Sequence, residues 1–101
     1  MAIAEISVVP LGTGSPSLSG YVAECVRALK DSGVTYTLTP MGTIIEGSLD
    51  EILDVVRMLH RVTINQGAVR VYTRVAIDDR RDKDSTAEGK LESVRSRLAS
   101  T

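Results

Sequence analysis

Apolar and polar residues alternate in four separate stretches of the chain. This is the period of β-strands that turn one apolar face toward a core. The stretches are rich in β-branched residues and span 2–11, 34–39, 43–47 and 69–77. Breaks that contain glycine, proline or charged residues separate them from their neighbours. The pattern therefore predicts four strands.

Between these stretches the apolar residues recur three, four and seven positions apart, which predicts helices. The first helix begins at a Ser17 cap and ends at Gly33. Its apolar side is predicted to pack on the sheet through Leu18, Tyr21, Val22, Cys25, Val26 and Leu29. The second helix begins with a capping box, in which Ser48 caps the helix and Glu51 reaches back, and it ends near Gly67.

The order of elements is β-α-β-β-α-β followed by a third helix at about 86–99. That last helix carries a narrow apolar stripe, suited to docking, of Leu91, Val94 and Leu98. Right-handed crossovers place strands one and three centrally, strands two and four at the edges, and both main helices on one face. We therefore predict an α+β fold, a ferredoxin-like βαββαβ sandwich with an extra C-terminal helix, as a single domain over 1–101.

The face of the sheet that the two main helices leave uncovered is called the open face. The pleat assigns to it Ile3, Glu5, Ser7, Val9, Thr35, Thr37, Thr39, Ile44, Glu46, Arg70, Tyr72 and Arg74. A face that mixes apolar and polar groups is either solvated or paired with the sheet of another subunit. The edge strand at 34–39 also has unpaired backbone groups that can continue a sheet across a dimer. We therefore expect a homo-oligomer.

Composition and charge exclude several classes of protein. The net charge is -1 and strands one and three contain no aromatic residue, which argues against nucleic-acid binding. Cys25 is the only cysteine, so an internal disulfide and a cysteine zinc cluster are excluded. The sequence has no signal-peptide pattern at its N-terminus and no apolar run near the ~20 residues of a membrane helix. We expect a cytoplasmic protein without membrane insertion or a bound metal.

Three features of the sequence allow both a structural and a chemical interpretation. Thr13, Gly14 and Ser15 precede the first helix, so they form either a simple turn or an anion site, although the loop lacks the lysine of a phosphate-binding loop. Cys25 is interpreted as a small core residue, and His60, the single histidine, as a structural residue near the inner edge of the second helix. No serine or cysteine motif accompanies His60, so a hydrolytic triad has weak support.

The open face holds the most promising candidate chemistry. There Glu46 is surrounded by hydroxyl groups, those of Ser7, Thr37 and Thr39 among them, and Tyr72 can lie against a flat ring. A carboxylate in that setting needs a partner. The partner is either an arginine of strand four, Arg70 or Arg74, or an amino-bearing or cationic ligand such as an aminopyrimidine.

Three blocks of the sequence resemble the small thiamine-binding protein family, whose members are similar to the YkoF-like thiamine-binding proteins. The blocks are EISVVPLGTG at 5–14, YTLTPMGT at 36–43 with EG at 46–47, and IDDRRDK at 77–83. They keep their order and spacing over nearly the whole chain. The resemblance implies a ferredoxin-like fold, a dimer that pairs its sheets and commonly a tetramer, and binding of thiamine or its hydroxymethylpyrimidine moiety near the subunit interface. No catalysis is established for the family that the sequence resembles.

We therefore expect a non-catalytic binding protein that takes thiamine as a ligand rather than as a cofactor. The candidate ligand-binding residues are Ser7, Thr37, Thr39, Met41, Thr43, Glu46 and Tyr72. We expect this binding protein to be a homo-oligomer, most simply a dimer of dimers. The first alternative is a regulatory or scaffold module without a small-molecule ligand, whose open face is only an oligomer interface. The second is a small hydrolase or isomerase that uses Glu46 or His60.

Overall fold

The computed structural model describes residues 1–14, 18–82 and 86–99. Seven elements follow one another in the order predicted by the hydrophobic pattern. They are β1 (Ala2–Leu11), α1 (Ser19–Ser32), β2 (Thr35–Thr39), β3 (Gly42–Gly47), α2 (Leu49–Asn65), β4 (Arg70–Asp79) and α3 (Ala87–Ala99). The predicted Ser17 cap lies outside the described residues, and Leu18 occupies the N-cap position of α1.

The four strands form one antiparallel sheet in the order β2-β3-β1-β4. Strands β1 and β3 are central and β2 and β4 are at the edges, as the crossover rule predicts. Both α1 and α2 pack on one face of this sheet. The fold is therefore the ferredoxin-like α+β sandwich, and the C-terminal helix is added to it.

The core lies between α2 and the two central strands. Small and branched side chains of β1 meet aliphatic side chains of the other elements in a fully buried cluster, formed by Ala2, Ala4, Ile6, Leu29, Ile45, Ile52, Val55 and Leu59. Burial of one such aliphatic side chain contributes about 1.5–3 kcal/mol. Thr63 is also buried, and its hydroxyl donates a hydrogen bond to the Leu59 carbonyl (3.0 Å).

The two main helices begin differently. At the start of α2, the Ser48 hydroxyl accepts a hydrogen bond from the Glu51 N–H (3.1 Å), and the Glu51 carboxylate accepts one from the Ser48 N–H (3.0 Å). The predicted capping box is confirmed. At the start of α1, the N-cap residue Leu18 makes no side-chain hydrogen bond to the helix.

Helix α3 is attached to the open face at its N-terminal end. The Ala87 N–H donates a hydrogen bond to the Glu46 carboxylate (2.7 Å), and the Lys90 ammonium pairs with Asp78. These two contacts lie on β3 and β4, on either side of Ile3 in β1. Every described side chain of α3 after its first residue is exposed, including the apolar stripe Leu91, Val94 and Leu98 (52%, 56% and 69%).

No helix within the described part of the chain is long and apolar enough to cross a membrane.

Candidate functional site

A cavity of about 410 Å³ lies between α1 and the end of the sheet. Its walls come from α1 on one side and from the last residues of β1 on the other. The turn between β2 and β3 closes one end, and Leu59 and Thr63 of α2 form part of the floor. A volume of this size is within the range of small-molecule sites.

The cavity exists because the two central strands differ in length. The last pair between β1 and β3 joins Ile6 to Thr43, whereas β1 continues to Leu11, paired only with β4. Within the described residues, the β1 segment from Ser7 to Leu11 therefore has no neighbouring strand on its β3 side. We call this gap in the sheet the notch.

Residues of both sheet faces meet at the notch. Val8 and Pro10 of β1 point toward the helices, and Ser7 and Val9 belong to the opposite face, yet all four line the cavity. Gly42 lines it from β3. The cavity thus extends from the helix side to the edge of the open face.

The β2–β3 turn is held by one side chain. The Thr39 hydroxyl accepts hydrogen bonds from the Met41 and Gly42 N–H groups (3.2 and 3.1 Å) and donates one to the Gly42 carbonyl (2.9 Å). Gly42 passes so close to β1 that a Cβ at this position would lie 2.9 Å from the Ile6 carbonyl oxygen. Thr39 and Gly42 therefore fix the position of the turn that closes the cavity.

The wall of the cavity is mostly aliphatic and carries no formal charge. Its polar groups are hydroxyls and one thiol. Among the described residues, the hydroxyls of Ser7, Tyr21 and Thr43 form no hydrogen bond, whereas those of Thr39 and Thr63 are engaged within the protein. Three hydroxyls thus remain to donate to, or accept from, a polar ligand.

Cys25 lies in this wall and also packs against the buried core. It is half-buried, and its Sγ is 3.6 Å from the Thr63 hydroxyl. Burial raises the pKa of the Cys25 thiol above its ordinary value, and the hydrogen bond between the thiol and the Thr63 hydroxyl opposes this more weakly. The thiol is therefore protonated near neutral pH, which does not favour a nucleophilic role.

His60 belongs to another part of the molecule. Its Nδ1 is 2.7 Å from the Thr73 hydroxyl of β4, between α2 and the sheet, and it is not among the residues that line the cavity. This contact agrees with the structural interpretation of His60.

The predicted site residues divide between the cavity wall and the part of the open face outside it. Four of them line the cavity, namely Ser7, Thr39, Met41 and Thr43. The other three, Thr37, Glu46 and Tyr72, belong to the open face by their register and are not part of the cavity wall. Their role in binding stays a prediction.

Glu46 does not pair with an arginine of β4, which was one of the two alternatives for its partner. Neither Arg70 nor Arg74 pairs with it, because β1 lies between β3 and β4 and the register places Arg74 opposite Ser7. The backbone of Ala87, 41 residues farther along the chain, is the partner instead. Sequence reasoning could not anticipate a contact that depends on where α3 docks.

The glycine-rich loop after β1 is only partly described. Gly12 and Gly14 both have positive φ (73° and 78°), which fits the turn interpretation. Thr13 precedes Gly14 there, and Ser15 lies outside the described residues. The anion-site alternative remains a prediction.

Residues 4–95 match the sequence model of a family described as thiamine-binding protein. The chain belongs to the thiamine-binding protein family. The resemblance found in the three sequence blocks is thereby confirmed.

Relatives match this member of the family over almost their whole length. It is 43% identical to the UPF0045 protein YqgV of Bacillus subtilis, over 97% of this chain and 98% of that protein. It is 46% identical to a UPF0045 protein of Methanothermobacter thermautotrophicus, over 97% and 100% of the two chains.

Solved structures share its fold. A hypothetical protein of Methanocaldococcus jannaschii has a TM-score of 0.83 at 38% identity, with 92% of this chain and 94% of that chain covered. A Thermotoga maritima protein assigned provisionally to thiamine biosynthesis or salvage has a TM-score of 0.76 at 27% identity, with 92% and 97% covered.

Sequence reasoning missed several residues that line the cavity of this protein. Tyr21 and Val26 were assigned to the core, and Pro10 was not considered. A usable signal was the length of the strands, because β1 has ten residues and β3 has six. A long strand beside a short one leaves an unpaired edge, and α1 must lie above it.

Proposed function

We propose that this protein binds thiamine, or a compound that contains its hydroxymethylpyrimidine part, in the cavity between α1 and the notch, without catalysing a reaction. The observation that carries the proposal is an uncharged cavity of about 410 Å³ whose wall has three hydroxyls free to form hydrogen bonds, in a chain of the thiamine-binding family. The provisional assignment of the Thermotoga maritima protein to thiamine biosynthesis or salvage supports it.

The chemistry of the wall suits a neutral aminopyrimidine. The ring nitrogens accept and the amino group donates hydrogen bonds, and the hydroxyls of Ser7 and Thr43 can do either. The aliphatic residues around them offer apolar surface to the ring faces, and Tyr21 offers an aromatic ring. Each square ångström of apolar surface removed from water contributes about 25 cal/mol.

The proposal that the protein is not an enzyme is supported by the state of its candidate nucleophile and base. The Cys25 thiol has a raised pKa, and His60 contacts Thr73 away from the cavity. Incubation of the protein with thiamine and with hydroxymethylpyrimidine, followed by chromatography, tests this. We expect both compounds to be recovered unchanged, and enzyme-dependent turnover of either would contradict the proposal.

Calorimetric titration of thiamine and of hydroxymethylpyrimidine tests the binding proposal. We expect saturable binding of at least one compound to the wild-type protein. Replacement of Cys25 by Phe fills the cavity and should weaken that binding at least tenfold. The matched control is Ala23→Phe, on an exposed position of the same helix, which should leave the affinity unchanged. Absence of heat for both compounds, or equal effects of both variants, would contradict the proposal.

We also infer that the protein self-associates as a cytoplasmic dimer of dimers, with the ligand site near a subunit contact. The exposed apolar stripe of α3 supports self-association, because Leu91, Val94 and Leu98 are all more than half exposed and lie outside the buried core. Light scattering after gel filtration tests this. We expect a mass above one chain of 10.9 kDa, and a smaller mass for Val94→Glu. A monomeric wild-type protein would contradict it.

The exposed apolar stripe of α3 also favours the alternative of a scaffold module without a small ligand. The two functions separate in one experiment. If Val94→Glu dissociates the oligomer and neither form binds a pyrimidine, the scaffold function stands alone.

A further inference from the structure

Glu5 lies at the point where the cavity reaches the open face. It is paired with Ile44 of β3 and belongs to the same face as Ser7, which lines the cavity two residues farther along β1. The Glu5 Cγ is 3.5 Å from the position that a Cβ would take at Gly42, another residue of the cavity wall. The Glu5 side chain therefore packs against the rim of the notch, and its carboxylate is one bond beyond that contact.

Of the three carboxylates that the described strands place on the open face, Glu5 alone has no partner. Glu46 accepts a hydrogen bond from the Ala87 N–H, and Asp78 pairs with Lys90, so both serve to attach α3. Among the described residues, Glu5 forms neither a hydrogen bond nor an ion pair. Arg74, a cation of the same face, lies across from Ser7 on β4. It makes no ion pair with Glu5.

The cavity and its rim thus offer two different environments. The wall carries no charge, and transfer of an unpaired cation into such surroundings is strongly unfavourable. The rim carries a solvated, unpartnered carboxylate. A ligand with a neutral ring and a cationic ring would place the neutral ring inside and the cationic ring outside, next to Glu5.

We propose that Glu5 is a specificity-determining residue that binds the positively charged part of a ligand whose neutral pyrimidine part occupies the cavity. The inference rests on the proposed function and adds the selection of cationic over neutral compounds. It assigns to Glu5 the electrostatic role for which the sequence alone favoured Glu46. For thiamine, the positively charged part is the thiazolium ring.

Calorimetric titration of thiamine and hydroxymethylpyrimidine into the wild type and Glu5→Gln tests the inference at low ionic strength. An ion pair at an exposed rim changes affinity by about fivefold. We expect Glu5→Gln to weaken thiamine binding by about fivefold and to change hydroxymethylpyrimidine binding by less than about twofold. The advantage of the wild type should shrink as salt screens the pair.

Two further variants make the test specific. Glu5→Asp keeps the charge and should retain most of the thiamine affinity. Asp78→Asn is the matched control on the same face, and it should leave the preference for thiamine over the neutral pyrimidine unchanged, because its carboxylate pairs with Lys90 of α3.

The outcomes separate this inference from the function on which it rests. Equal effects of Glu5→Gln on both compounds, or no effect on either, would overturn the role of Glu5 while binding in the cavity stands. A loss of thiamine preference in Glu46→Gln but not in Glu5→Gln would move the charge recognition to Glu46. Absence of binding of either compound to the wild type would overturn both proposals together.

Discussion

Helices α1 and α2 present similar apolar periodicity to the same face of the sheet, but α2 packs against the strands far more extensively than α1 does. α2 contacts β1, β3 and β4 and buries Ile52, Val55 and Leu59. α1 has α2 as its main neighbour and buries Leu29 alone. The difference shows that an apolar helix face need not belong to the core, since that of α1 forms the wall of a cavity.

The cause of the difference lies in the strands beneath each helix. The small residues Ala2 and Ala4 let α2 approach β1 closely where the sheet is complete. α1 lies over the notch. There, beyond Gly42 at the end of β3 nearest the notch, no strand of the described residues pairs with that side of β1. The α2 side therefore supplies stability, and the α1 side supplies space.

The largest expected difference between the two regions is in the free energy of unfolding. Ile52→Ala removes a fully buried side chain from α2 (0% exposed) and should lower stability by about 2–5 kcal/mol. Val26→Ala removes methyl groups from the half-buried cavity wall of α1 and should cost less than about 1 kcal/mol. Urea denaturation measures both, and equal losses would show that α1 is packed as tightly as α2.

A second prediction sharpens the role of the turn that closes the cavity. Gly42→Ala places a methyl group 2.9 Å from the Ile6 carbonyl oxygen, a backbone atom that must shift. We expect a loss of about 1–3 kcal/mol together with weaker ligand binding. The control is Gly20→Ala in α1, where a methyl group meets nothing within 4 Å and should stabilise the protein by about 0.5–1 kcal/mol. A harmless Gly42→Ala would contradict the close approach of β3 to β1.

A third and smaller effect separates the capped helix from the uncapped one. Ser48→Ala removes the cap of α2 and should cost about 1 kcal/mol in thermal or urea denaturation. The N-cap residue of α1, Leu18, has no such side-chain bond to lose, and Leu18→Ala should therefore have no capping effect. If Ser48→Ala is neutral, the capping box does not hold α2.

The same cap predicts a pH dependence. Hydrogen bonds from the Ser48 backbone and side chain lower the pKa of Glu51 below its ordinary value of 4.5. A carboxyl group with a lowered pKa in the folded state contributes stability that is present above that ordinary value and lost as pH falls through the lowered pKa. Glu51→Gln should therefore lose less stability than the wild type between about pH 5 and pH 2. Parallel stability curves would contradict this.

Much of the fold could be predicted from the sequence because it depends on local patterns. Alternation located the strands, spacing located the helices, and the Ser48 and Glu51 pair located the start of α2. The crossover rule then fixed the order of the strands. Each of these inferences depends on neighbouring residues or on a general rule of topology.

The site could be predicted only in part because it depends on distances between elements. The same period describes Cys25 in a cavity wall and Leu29 in the core, so periodicity does not show which one is packed. Likewise, the hydrogen bond between Glu46 and Ala87 joins residues 41 positions apart. Only the register of β1 and β3 and the docking of α3 decide these contacts.

The central claim is that the ligand occupies the space between α1 and the notch. Titration of thiamine into the ¹⁵N-labelled protein, followed by backbone amide chemical shifts, tests it most directly. We predict that the largest shifts arise at Ser7, Cys25 and Thr43, on the wall of the cavity. Shifts confined to Thr37 and Tyr72 on the open face, with α1 unaffected, would contradict the account.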